Sequence, residues 1–423
     1  MILPQLKRFD MLKKPVRQRQ FLRPLTWLLS YPAVLAHRVK ITKVGMRGVK
    51  PPYLLLCNHN SFIDFKVTTI AIFPHRANYI VAIDGFIGKE WLLRSVGGIC
   101  KRKFTNDMVI VRHMKRVVDN GDVLVMYPEA RYSLCGTNAV LPESLGKLAK
   151  LLKIPVVTLI MHGHHVNSPF WNLKNRKVKN MEAVLSLLVS KEEIDTLSYE
   201  EINERINTAF RYDDFAWQRE KRIRISYPDR AKGLHKVLYQ CPSCMTEYRM
   251  MSEGSRLWCE HCNKEWEMSE YGELSAVDGP TEFSHIPDWY EWERSQVREE
   301  IESGMYRFES EVLVDTLPNS KGFIHLGKGR LVHDMNGFLL EGEYEGSPYK
   351  VSISAKSLYS CHIEYNYLGK HGDCIDLNTL TDTFYIYPTC SSFSVTKIAL
   401  ATEEMYKLYH TRQADLNPVL QQG

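Results

Sequence analysis

Residues 58–64 read Asn-His-Asn-Ser-Phe-Ile-Asp, directly behind the apolar run Tyr-Leu-Leu-Leu-Cys at 53–57. A run of this kind, short and uniformly apolar, fits a strand buried on both faces. It ends on a histidine, and one carboxylate follows five residues later. Two readings are open. The stretch is a strand end followed by a helix cap, or His59 is a base and Asp64 the group that orients it. A helix starting near Phe62 would place Asp64 in its first turn, from where the carboxylate can reach back toward the preceding loop. It could then accept the proton of one imidazole nitrogen and leave the other free to take a proton from a hydroxyl.

The neighbouring sequence repeats the pattern of strand, loop and helix. Val39–Met46, Asn78–Ile83, Asp122–Tyr127 and Pro155–His162 read as strands. Phe62–Phe73, Lys89–Val96, the stretch after a cap at Asn106 or Asp107 up to Gly121, and Glu143–Lys153 read as helices. The alternation implies an α/β domain with a largely parallel core sheet flanked by helices, and in such sheets chemistry gathers at strand ends. His59 lies past one strand end and Glu129 past another. A strand near 176–190, the polar helix Ser198–Phe210 and a helix over 213–224 follow.

Further along, Tyr-Pro-Glu-Ala-Arg-Tyr-Ser at 127–133 closes a second apolar strand. Arg131 offers a forked donor suited to phosphate. Between the two blocks, Gly97-Gly98-Ile99-Cys100-Lys101-Arg102-Lys103 sets two glycines before three cations; taken alone, the basic triplet reads as a solvated loop. These blocks together resemble the glycerophospholipid acyltransferase family of the lysophosphatidic acid acyltransferase type. The matching residues are Asn58-His59 with Asp64, Gly98-Ile99 with Arg102 or Lys103, Tyr127 to Ser133, and Ile154-Pro155-Val156-Val157, over roughly residues 35–215. Ala130 and Arg131 stand where the family usually has Gly-Thr, and Tyr132 where it usually has Arg.

The resemblance implies acyl transfer from an acyl-coenzyme A or acyl-carrier-protein thioester to a lysophospholipid hydroxyl at a membrane surface. It implies His59 and Asp64 as catalytic residues. Asn58, Arg102, Lys103, Glu129, Arg131 and Ser133 would bind the acceptor or shape its pocket. The rival readings are a non-catalytic lipid-binding or scaffold protein of the same fold, and an acyltransferase for a non-glycerolipid alcohol or amine.

The rest of the 423-residue chain divides by composition. Residues 1–48 hold eleven Lys or Arg against the single acid Asp10, whereas residues 270–315 hold thirteen acids against Arg294, Arg298 and Arg307. The N-terminus does not read as a signal peptide. Pro24–Ala36 is too short to span a bilayer, which takes about 20 apolar residues. With Trp27, Tyr31 and flanking arginines, residues 1–36 fit a segment lying in an anionic membrane interface, on the cytoplasmic face.

Cys241-Pro-Ser-Cys244 and Cys259-Glu-His-Cys262, fourteen residues apart, form a four-thiolate set expected to hold a structural zinc within a ribbon over 236–275. Glu253, Glu260, Glu265 and Glu267 surround it, which argues against nucleic acid as a partner. The other six cysteines show no framework spacing, as expected of a reducing compartment. The cluster Met161-His-Gly-His-His165 lacks a carboxylate at ligand spacing, and His162 reads as a strand end lining the cleft. A helix capped at Asp288 links 276–304. Residues 305–412 then alternate aromatic and β-branched runs with Gly, Asn and Asp turns: an antiparallel β domain of some seven strands with one capping helix, similar in pattern to a pleckstrin-homology fold.

Overall fold

A computed structural model describes residues 6–416; residues 1–5 of the expected N-terminal segment lie outside them. The first part of the chain builds a seven-stranded sheet from β1 (Lys40–Val44), β2 (Leu54–Cys57), β3 (Ala77–Ala82), β4 (Gly98–Lys101), β5 (Val123–Met126), β6 (Val156–His162) and β7 (Glu182–Val189). The strand order is β1-β7-β6-β2-β5-β3-β4. Every pairing is parallel except β6 with β7.

β2 and β5 are apolar at every position because both faces are covered. Leu54, Leu56, Leu124 and Val156 meet Ile110, Met114 and Val117 of the helix Met108–Asp119 and Leu145, Ala149 and Leu152 of Ser144–Leu152. Leu55, Cys57, Val125 and Val157 turn to the other face, against Val67 and Ala71 of the helix Ile63–Ala71. Asp107 caps the first of these helices through the Val109 amide, as its position before an apolar stripe predicts.

Two further β units follow. Met250–Glu253, Arg256–Cys259, Glu265–Met268 and Leu274–Ala276 form a small antiparallel sheet around the cysteines. The helix Ile286–Glu302 starts three residues earlier than a cap at Asp288 would place it. His285 precedes it, Pro287 sits in its first turn where no amide is needed, and Asp288 lies inside that turn rather than capping it.

The last seven strands make one antiparallel sheet. Phe308–Thr316, Ile324–Asp334, Gly337–Tyr344 and Ser347–Ser354 form a meander, and Phe308–Thr316 also pairs with Thr383–Pro388. Cys374–Asn378 and His362–Glu364 complete the far edge. The helix Val395–Leu416 packs against this sheet through Val395, Ile398, Leu400 and Met405.

These units share one core. Leu134, Phe170, Trp171 and Phe215 of the first part are continuous with Trp266 and Trp289 near the cysteines and with Leu331, Phe384 and Ile386 of the last sheet. A buried ion network crosses the same junction. Glu403 of the C-terminal helix, fully buried, accepts from Arg131 at 2.6 Å, Arg294 at 2.7 Å and Ser360 at 2.8 Å. Breaking such a network by removing one partner leaves buried charge uncompensated, a loss of about 3–5 kcal/mol. Glu403→Ala should therefore lower the thermal unfolding midpoint sharply; a midpoint equal to wild type would show that the junction does not depend on this carboxylate.

Candidate active site

The site forms where β2, β5 and β6 end side by side. Asn58 closes β2 against β6: its amide nitrogen donates to the Met161 carbonyl and its amide oxygen accepts from the Met161 amide, both at 2.8 Å. Asn58 is wholly buried, so it holds the scaffold rather than facing a ligand.

Directly after it, His59 projects a side chain that is 25% exposed. Its Nδ1 lies 3.0 Å from Asp64 Oδ2. Asp64 is fully buried in the first turn of Ile63–Ala71. The same oxygen accepts from the amides of Asn60 at 2.6 Å and Ser61 at 2.9 Å, while Oδ1 meets His164 Nδ1 at 2.6 Å. Burial alone would push this carboxyl up. The hydrogen bonds from His164 and His59 outweigh that and hold it well below the usual carboxylate range. The His59 ring is flanked by Tyr127 and Tyr132, each with centroids 4.4 Å away.

The second block is stitched to the first. Glu129 Oε2 accepts from the His59 amide at 2.8 Å, and the Ser133 amide donates to the His59 carbonyl at 2.9 Å. Glu129 Oε1 accepts from the Ala139 amide at 3.0 Å and from the Tyr212 hydroxyl at 3.4 Å. Full burial pushes the Glu129 carboxyl up to about 7 against these donors. Ser133 is buried as well and closes its own turn, donating to the Thr137 carbonyl and accepting from the Gly136 amide. Ala130 sits at φ 55°, a left-handed conformation that a glycine would adopt without strain.

The three cations expected around an acceptor are engaged elsewhere. Arg102 is 2% exposed and donates to the carbonyls of Leu317 and Pro318 and to Thr383 Oγ1. The basic triplet is thus not a solvated loop: β4 carries it into the junction with the last sheet. Lys103 Nζ lies between Asp84 and Asp376 at 3.4 and 3.5 Å. Arg131 belongs to the Glu403 network.

Of the histidine cluster, His162 ends β6 with Nδ1 3.7 Å from Asp214, and His165 is enclosed by Trp171 and Phe215. His164 and Tyr212 are the members of the site that the sequence reading did not assign. The cluster was visible in the sequence, but nothing local indicated that its middle histidine meets an aspartate 100 residues away. The four cysteine sulfurs converge, with Cys241 3.7 Å from Cys262 and Cys244 3.8 Å from Cys259.

Comparison with known proteins gives this geometry a family. Residues 38–162 match the family model described as Acyltransferase. This segment is an acyltransferase domain. It holds β1 to β6, the His59–Asp64 pair and Glu129. No curated protein matches the chain. Among solved structures, the chain is similar to the 1-acyl-sn-glycerophosphate (LPA) acyltransferase PlsC from Thermotoga maritima, at 14% identity and a TM-score of 0.34, over 45% of this chain and 79% of that one.

Glu129 ties the acyltransferase domain's stability to pH. Its folded carboxyl binds a proton more readily than the unfolded one, so its contribution is complete below the unfolded value of 4.5 and is lost as pH rises through about 7. The stability advantage of wild type over Glu129→Gln should shrink as pH rises across that window. Thermal unfolding of both proteins at several pH values measures it, and parallel profiles would refute it.

Proposed function

We propose that the chain transfers an acyl group from a coenzyme A or carrier-protein thioester to the hydroxyl of a lysophospholipid at a membrane surface. The observation that carries this is the His59–Asp64 hydrogen bond of 3.0 Å, set at a strand end inside the matched segment. With Nδ1–H donated to Asp64, Nε2 takes the proton of the acceptor hydroxyl. The oxygen attacks the thioester carbonyl, the C–O bond forms, the C–S bond breaks, and the departing sulfur recovers the proton from the imidazolium. Ionised Asp64 stabilises that imidazolium, and Tyr127 and Tyr132 limit the tilt of its ring. No protein nucleophile is needed.

For Arg102, Lys103, Glu129 and Arg131, the geometry favours shaping the pocket over gripping an anion, since each is paired within the protein. That pairing also supports a second reading, in which the acceptor is an alcohol or amine without a phosphate.

The membrane surface is supported by the helix Arg23–Ala36 and the turn before it, where Phe21, Leu25, Leu28, Leu29 and Leu35 are exposed. Arg19 and Arg23 lie over the rings of Trp91 and Trp27, whereas Arg17 is paired with Asp122 and adds less to the basic face. Among the described residues, no helix is long and apolar enough to cross a membrane. An amphipathic segment of this kind fits interfacial binding.

Purified protein incubated with oleoyl-coenzyme A or oleoyl-carrier protein, and with a panel of lysophosphatidic acid, other lysolipids and single-chain alcohols and amines, should yield an acylated product by mass spectrometry. His59→Ala should lower turnover by about 10²–10⁴-fold while remaining folded. Turnover close to wild type in that variant overturns the mechanism, and product from phosphate-free acceptors alone selects the second reading.

The four cysteines are proposed to hold a structural zinc. A tetrahedron with Zn–S bonds of about 2.3 Å has edges of about 3.8 Å, which the observed sulfur separations fit. Four thiolates leave no position for water, so this metal takes no part in the transfer. Metal analysis should find one zinc per chain. Its removal should expose Trp266, now buried against Trp289 at 4.9 Å, and shift the tryptophan emission to the red. Reduced protein without zinc would refute the assignment.

A further inference from the structure

Asp64 serves two histidines. Its Oδ2 holds His59 Nδ1, and its Oδ1 holds His164 Nδ1 at the shorter distance of 2.6 Å. His164 has no exposed surface and its Nε2 has no hydrogen-bond partner, so it cannot reach a substrate. Its presentation is nonetheless built with care. Gly163 stands at φ 87°, and a Cβ there would meet the Trp217 ring at 2.7 Å, so only glycine fits the turn. The buried carboxylate of Asp214 accepts from the amides on either side of His164, Gly163 at 3.1 Å and His165 at 2.8 Å. One buried aspartate thus fixes the turn that aims His164 at the other.

We infer that His164 is a positioning residue for acyl transfer, locking the Asp64 carboxylate that aims His59 and limiting how strongly that carboxylate favours the His59 imidazolium. The inference rests on His59 being the base. With donors on both oxygens, the Asp64 plane cannot rotate without breaking a buried hydrogen bond. Each donor also withdraws charge from the carboxylate, so removing His164 leaves Asp64 a stronger acceptor toward His59. The sign is the same if His164 carries a proton, because a neighbouring positive charge is then lost. The other groups facing this centre are the acids Glu129 and Asp214, the imidazoles of His37 and His162, and Cys57, Tyr127, Tyr132 and Tyr212, which burial keeps protonated.

The test uses the full chain labelled at histidine, with His59 assigned by its loss in His59→Ala. In wild type, both His59 and His164 should show a hydrogen-bonded proton on Nδ1. In His164→Leu, the His59 titration midpoint should rise by about half a unit to one unit. Turnover on the acceptor found by the panel should fall about tenfold, with little change in KM. His164→Asn should restore both, because its amide nitrogen overlays the imidazole Nδ1. An Nδ1 without a proton on wild-type His164 overturns the inference, even if His164→Leu does not fold. An unshifted His59 midpoint in folded His164→Leu also overturns it. These resonances need no substrate, so they fail independently of the acyl-transfer reading, which His59→Ala tests alone.

Discussion

A carboxylate in a dry interior is tolerated only if its lone pairs are taken up, because desolvation of an unpaired charge costs several kcal/mol. Asp64 meets that condition with four donors: two backbone amides of its own loop, His59, and His164 at the end of β6. The ends of β2 and β6 must therefore stay at one separation. The parallel pairing from Leu54 with Val156 to Cys57 with Leu159 sets that separation, and the two-way clamp between Asn58 and Met161 closes it. The His59 geometry therefore depends on the packing of the sheet centre as well as on the loop that carries it.

A second buried carboxylate extends this dependence to the far end of the chain. Glu403 holds Arg131, which lies in the same seven-residue block as Glu129 and Ser133. Glu129 and Ser133 in turn bond the two backbone groups of His59. The C-terminal helix is thereby connected to the candidate base through one arginine and a short turn. The same contact explains the departure of this block from its usual form: the cation is directed into the protein, with Glu403 as its permanent partner. Arg102 is likewise drawn into the last sheet, by Leu317, Pro318 and Thr383. Both guanidiniums thus spend donors inside the protein, although Arg102 Nε and Arg131 Nε and Nη1 are buried without a hydrogen-bond partner.

Much of this was legible in local sequence. Uniformly apolar runs marked β2 and β5 because strands covered on both faces have no solvent side. Asp107 and Gly121 marked helix ends because unpaired backbone groups there require them. The two Cys-x-x-Cys pairs and the His59–Asp64 spacing were readable for the same reason: each is a contact between residues close along the chain.

What the sequence by itself determined is the set of elements, the α/β class of the first domain, the β-rich end and the residues able to titrate or ligate. Only the tertiary structure decided which charges meet. Arg102 read as part of a solvated loop when taken alone and, through the resemblance, as an acceptor contact; Arg131 read as a grip for phosphate, and His164 was given no role of its own. Their partners lie 215 to 281, 272 and 100 residues away. Periodicity and capping report how much of a residue is buried and what its near neighbours need. They do not carry the direction of a long side chain, which is settled when packed sheets and helices bring an unpaired donor within reach of a buried acceptor.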